Sequence, residues 1–179
     1  MHLLLGALSE AHSGAALNAD VVVIGIGNPY RRDDGVGPAV AAAIDEHKPA
    51  HVRVVTGIED PMTLLEAWSG AKLAVLVDAA MTTPSTPGRI HRVTAGDLIA
   101  GGGVSTHGLN VTQALALGQA LGRMPDRLVV LGVEAADTGQ GFGFTAQVAA
   151  AMPHVIAAVA EIIGISMELL LGPTENQLN

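Results

Sequence analysis

The densest group of chemically capable residues is Gly25–Gly37, GIGNPYRRDDGVG, which places Asn28, Arg31, Arg32, Asp33 and Asp34 within one short loop. Further along stand Asp78 in LAVLVDAA, His107 in STHG and Glu134 in LGVEAAD. Two carboxylates and one imidazole on separate loops make an open three-ligand site, with room for water or a substrate group. A mixed oxygen and nitrogen donor set suits a borderline divalent ion such as Ni²⁺ or Zn²⁺. The same acids can instead act as a general acid/base pair, as crowded carboxylates do in aspartic proteases. Residue types alone leave both readings open. Each residue also has a plainer role. One of Asp33 and Asp34 can cap the helix that follows, with Pro38 in its first turn. Asp78 can cap a loop, and a lone His such as His107 is more often structural than a ligand.

Other motifs carry less. GxGN after a strand invites a dinucleotide-binding reading, but the third Gly of that fingerprint is missing because position 30 is Tyr, and two acids would repel a pyrophosphate. There is no GxSxG elbow and no HExxH helix. His2, His12, His47, His51, His91 and His154 show no metal-ligand spacing and are expected at surfaces or element ends. Glu134 is expected to support the site or to bind a loop N–H. Trp68 and Leu64–Leu65 read as helix core. Arg31 and Arg32 read as solvated, or as partners for a carboxylate on another chain.

These residues need a scaffold that brings separate loops together. Asp20–Ile26, Val52–Thr56, Leu73–Val77 (closed by Asp78) and Leu128–Val133 are continuous apolar runs, as expected of strands buried on both faces. Gly88–Val93 is a shorter, more polar strand suited to an edge. Helices are predicted over Val36–His47, Pro61–Trp68, Leu109–Leu121 and from Ala146 to Ile163, with a continuation towards Leu171. Strands alternating with helices predict a three-layer α/β/α sandwich: a twisted, mostly parallel sheet of about five strands with helices on both faces. Such sheets place their sites at the carboxyl ends of the strands, near a topological switch point. Residues 1–19 are expected to form a loose N-terminal extension without the basic and apolar segments of a signal peptide, 20–171 one domain, and 172–179 a polar tail.

Composition narrows the function. The chain has 179 residues with 17 acids against 9 bases, a net charge of −8. That balance argues against nucleic acid and against anionic membranes as partners. There is no cysteine, so disulfides, thiolate metal sites, iron–sulfur clusters and thiol catalysis are excluded. The composition is compatible with a cytoplasmic location.

The order GIGNPYRRDDGVG, LAVLVDAA, STHGL, LGVE resembles the hydrogenase maturation protease family from about Asp20 to Ile163. The resemblance implies an endopeptidase that removes the C-terminal extension of a [NiFe]-hydrogenase large-subunit precursor after nickel insertion. It implies that Asp34, Asp78 and His107 contact nickel supplied by that precursor, with Asp34 or Asp78 as general base. Gly27, Asn28, Asp33 and Thr106 then fall where substrate binds. The stretch Val55–Asp60, VTGIED, has a single Gly where many members carry Asp-Gly-Gly-Thr. Two other readings compete. A peptidyl-tRNA hydrolase-like esterase also opens on GxGNP, but would continue to an Arg-His-Asn group that this chain lacks. A chaperone on the same fold would bind nickel or precursor without cleaving it.

Overall fold

Asp20–Ile26 holds four consecutive β-branched residues, and such a run is soluble only when both faces of its strand are covered. The computed structural model, which describes residues 20–47, 49–99 and 111–166 with the backbone of Ser105 and Thr106, covers them. Among these residues the order is β1 (Val21–Ile26), α1 (Val36–Glu46), β2 (Val52–Ile58), α2 (Pro61–Trp68), β3 (Leu73–Met81), β4 (Ile90–Thr94), α3 (Ala95–Ile99), β5 (Ser105–Thr106), α4 (Val111–Leu121), β6 (Arg127–Glu134) and α5 (Ala146–Ile163). The sheet order is β2-β1-β3-β6-β4, with β5 attached to the end of β3. The central four strands are parallel, while β4 and β5 run antiparallel to β6 and β3.

Side-chain alternation splits the core into two layers. Val23, Val75, Val77, Val129 and Leu131 face α1 and α5, packing with Val36, Val40, Val155 and Val159. Val22, Ile24, Leu76, Leu128 and Val130 face α2 and α4, packing with Leu64, Trp68, Ala114 and Leu115. The predicted three-layer sandwich is therefore the observed fold. Trp68 is core, as expected, and its indole N–H donates to the Arg123 carbonyl at 3.1 Å. Asp60 caps α2, accepting from the Met62 and Thr63 N–H groups at 2.8 and 3.0 Å, with Pro61 in the first turn.

Four details differ from expectation. Asp78 does not close β3; the strand continues through it to Met81. The extension is held by β5 on one side, pairing Ala80 with Thr106, and by β6 on the other. Helix α3 and strand β5 are too short for hydrophobic periodicity to reveal. Helix α5 stops at Ile163 because Gly164 takes a left-handed conformation (φ 74°). By length and composition alone α5 is apolar enough to cross a membrane, but here its Val148, Val155, Val159 and Ile163 stripe packs in the core. Residues 1–19 and 172–179, expected as extension and tail, lie outside the described residues.

Candidate active site

The chain leaves β1 to build β2 on one side and returns to build β3 on the other. The crevice between the carboxyl ends of β1 and β3 is therefore the switch point, where open α/β sheets bind ligands. The last β1–β3 pair is Gly25 with Val77, and β5 takes up pairing only at Ala80. Asp78 sits in that gap. Asp34 enters it from a 3-10 turn, Arg32–Gly35, that leads into α1.

Glycine makes this approach possible. A Cβ on Gly37 would lie 2.2 Å from the Ile26 carbonyl oxygen and 2.3 Å from that of Val77, so the first turn of α1 rests directly on the ends of β1 and β3. A Cβ on Gly27 (φ 123°) would lie 1.9 Å from the Asp34 carbonyl oxygen. The glycines of GIGNPYRRDDGVG thus serve close packing of Asp34 onto the strand ends, which explains why they resemble a nucleotide fingerprint without completing one.

The two carboxylates are buried: Asp34 is 5% exposed and Asp78 is 0% exposed. The Asn28 N–H donates to Asp34 Oδ2 at 3.0 Å, while the Asn28 side chain accepts from the Tyr30 N–H at 2.9 Å. Neither oxygen of Asp78 has a hydrogen-bond partner among the described residues. Burial pushes its carboxyl well above the usual carboxylate range, and the nearby Asp34 charge pushes further. The Ala79 N–H opposes both weakly, from outside hydrogen-bonding geometry. A buried carboxylate with empty lone pairs beside a second carboxylate has the chemistry of a cation or proton site. Among the described residues no third His, Cys, Asp or Glu completes a metal cluster. His107 lies outside the described residues; Thr106 is placed only as the backbone partner of Ala80.

Asp33, expected at the substrate, is turned away from the crevice and 0% exposed. It accepts from the Ala136, Asp137 and Thr145 N–H groups at 2.9, 3.0 and 2.7 Å, and from the Thr145 hydroxyl at 2.9 Å. Burial alone would raise its pKa, but the Thr145, Asp137 and Ala136 amides outweigh it and hold the carboxyl below its ordinary value. Neither acid caps α1, whose N-cap is Gly35 without a side-chain bond. Asp33 instead fastens the Asp34 loop to the segment between β6 and α5. Arg32 reinforces the junction from a left-handed conformation (φ 47°), donating its N–H to the Gly141 carbonyl at 3.0 Å and pairing with Asp137 at 2.8 Å. Because these partners lie a hundred residues apart in sequence, no local pattern announces them.

Glu134 fulfils one of its two expected roles. It accepts from the Thr86 N–H, tying the β3–β4 connection to β6. His91, expected at a surface, instead pairs with it at 2.5 Å. Burial raises the Glu134 carboxyl, yet the Thr86 amide and His91 overcome this and lower it to about 2.

A parallel sheet between two helical layers, with paired buried carboxylates at its switch point, defines an α/β protein equipped for acid–base or cation chemistry. Residues 36–162 match the family model "Hydrogenase maturation protease", and the chain belongs to that family of proteases. The matched region includes Asp78 and His107 and begins two residues after Asp34. Solved structures agree in fold. The hydrogenase maturating endopeptidase HybD from E. coli superposes with TM-score 0.72 at 22% identity, over 80% of this chain and 91% of that one. The [NiFe] hydrogenase maturation protease HybD from Thermococcus kodakarensis gives 0.64 at 17% identity, over 79% and 97%. HycI from Thermococcus kodakarensis KOD1 gives 0.59 at 24% identity, over 82% and 93%. No curated protein sequence matches the chain.

Proposed function

We propose that the chain is the endopeptidase that removes the C-terminal extension of a [NiFe]-hydrogenase large-subunit precursor, acting in the cytoplasm once the precursor holds nickel. The observation that carries this reading is Asp78: fully buried, both oxygens without a hydrogen-bond donor among the described residues, beside Asp34. A cation delivered by the substrate would relieve it.

In this reading Asp34, Asp78 and His107 contact nickel that belongs to the precursor. The metal supplies charge that polarises the scissile carbonyl or acidifies a water. Asp34 or Asp78 takes a proton from that water as its oxygen bonds to the carbonyl carbon. The C–N bond then breaks, and the proton passes to the leaving amine. Gly27 and Asn28 border the carboxylates, and Thr106 lies across the gap on β5, so these three flank the scissile segment. Asp33 is left out of the substrate contacts because it is fully buried and holds four hydrogen bonds to the β6–α5 segment.

The decisive measurement is mass spectrometry of the C-terminus of a nickel-loaded precursor incubated with the wild type and with Asp34→Asn, Asp78→Asn and His107→Ala. Trimming by the wild type and at least 100-fold slower trimming by each folded variant is the expected outcome. Full processing by all three variants overturns the site. Binding without cleavage by the wild type favours the chaperone reading instead.

A further inference from the structure

The chain contains one Trp, one Tyr and two Phe, so each exposed aromatic is a notable use of surface. Tyr30 is 64% exposed and Phe142 82% exposed. They come from segments far apart in sequence, yet meet edge to face with ring centroids 5.5 Å apart. The pair stands at the rim of the site: the Tyr30 N–H binds the side chain of Asn28, whose own N–H binds Asp34. Its backbone is fixed, with Gly141 N–H donating to the Tyr30 carbonyl at 2.9 Å and Arg32 N–H to the Gly141 carbonyl at 3.0 Å.

Two further features adjoin the pair. A cleft of about 310 Å³ opens beside it, lined mostly by apolar groups (Pro29, Pro38, Ala39, Ala42 and Phe144) with Arg32 in its wall. Arg31 is exposed, and its Nε donates to the Thr138 carbonyl at 3.1 Å, which anchors the side chain at the surface. A backbone-anchored aromatic pair, a pocket for an apolar side chain and an exposed guanidinium are the components of an interface hot spot.

We propose that Tyr30, Phe142, Arg31 and this cleft form the docking surface for an extended segment of the substrate polypeptide, one carrying an apolar side chain and a carboxylate. This rests on the protease reading above. The charge of the occupant follows from the chain: Arg31 and Arg32 are adjacent cations in a protein of net charge −8, and Arg32 is already paired with Asp137. Only Arg31 of the two remains to take a carboxylate, in the bidentate geometry guanidinium favours. A second copy of the chain fits less well, because it would bring together two molecules that each carry a net charge of −8. The preorganised loops reduce the ordering cost of binding.

The test uses a nickel-loaded large-subunit precursor from the same organism as probe, with binding and cleavage measured separately. Tyr30→Ala/Phe142→Ala and Arg31→Glu are compared with Leu121→Ala, an exposed apolar residue at the end of α4, where the chain leads into the amino end of β6 and away from the carboxyl ends of the strands. Each docking variant is expected to weaken precursor binding roughly 30-fold and to raise KM more than it lowers kcat. Leu121→Ala binds as the wild type does. Wild-type affinity in both docking variants overturns the proposal, as does concentration-dependent dimerisation that Arg31→Glu or the double variant abolishes without changing precursor affinity. A wild type that binds precursor through this surface but never cleaves it overturns the protease reading alone.

Discussion

At the scale of single residues, Asp33 and Asp34 are neighbours in sequence with opposite duties. Asp33 faces the β6–α5 segment and takes four hydrogen bonds; Asp34 faces Asp78 and takes one from Asn28. Their substitutions should therefore fail in different ways. Asp33→Asn removes an ionised acceptor from three amides and a hydroxyl, and exchanges one acceptor oxygen for a donor. It is expected to lose about 2–4 kcal/mol of stability in urea titration. Asp34→Asn, with one bond at stake and a like-charged neighbour relieved, is expected to change stability by about 1 kcal/mol or less while abolishing cleavage. An Asp33→Asn protein as stable as the wild type would remove the fastening role. Both acids stand out in the sequence as candidates for a cap or a site. Their directions were not visible, because the donors that capture Asp33 lie beyond residue 135 and no cap pattern links them.

At the scale of elements, the site depends on how closely α1 approaches the strand ends. Gly37 allows this, since a Cβ there would stand 2.2 and 2.3 Å from two backbone oxygens that cannot move without shifting β1 or β3. Gly37→Ala is expected to cost about 3 kcal/mol or more and to displace Asp34. Gly118 in α4 is the contrast: its added Cβ meets the Met124 sulfur at 2.7 Å, the end of a flexible side chain, and Ala favours the helix. Gly118→Ala is expected within about 1 kcal/mol of the wild type, and paired chemical denaturation curves check both. The contrast also marks what sequence patterning can reach. Long apolar runs mark all four parallel strands and the four longer helices, with the helices and β1 and β6 within two residues of their observed ends, because burial on both faces and helical spacing are both repeated signals. Asp78 looks like the end of β3 in the sequence because a charged residue after an apolar run resembles a stop. The strand continues because β5 and β6 flank it, and β5, with two residues, leaves no period to detect.

At the scale of the whole molecule, these carboxylates make stability depend on pH in two opposing ways. Asp33 and Glu134 have folded pKa values below their ordinary ones. Each contributes stability that is present above its unfolded pKa and lost as pH falls through the folded value, which for Glu134 is about 2. Asp78 is shifted the other way, by burial and by Asp34. Its protonated form is favoured in the folded state, so its contribution is complete below its ordinary pKa of 3.8 and is lost as pH rises through the elevated folded value. The metal-free protein should thus gain stability on raising pH from about 2 to about 4.5 and give part of it back above that. Asp78→Asn keeps the first limb and loses the second, so it should melt above the wild type near neutral pH while being inactive, the exchange of stability for function expected at a working site. A divalent cation held by Asp34 and Asp78 would reverse the sign for the wild type alone, because binding to the folded state adds RT ln(1 + [L]/Kd) and requires the deprotonated acids. Thermal melts of wild type and Asp78→Asn across this pH range, with and without Ni²⁺, give the comparison. The expected pattern is a high-pH decline that only the metal-free wild type shows. Parallel profiles for the two proteins would mean that Asp78 is held by a partner in the folded state and is not the open position of the site.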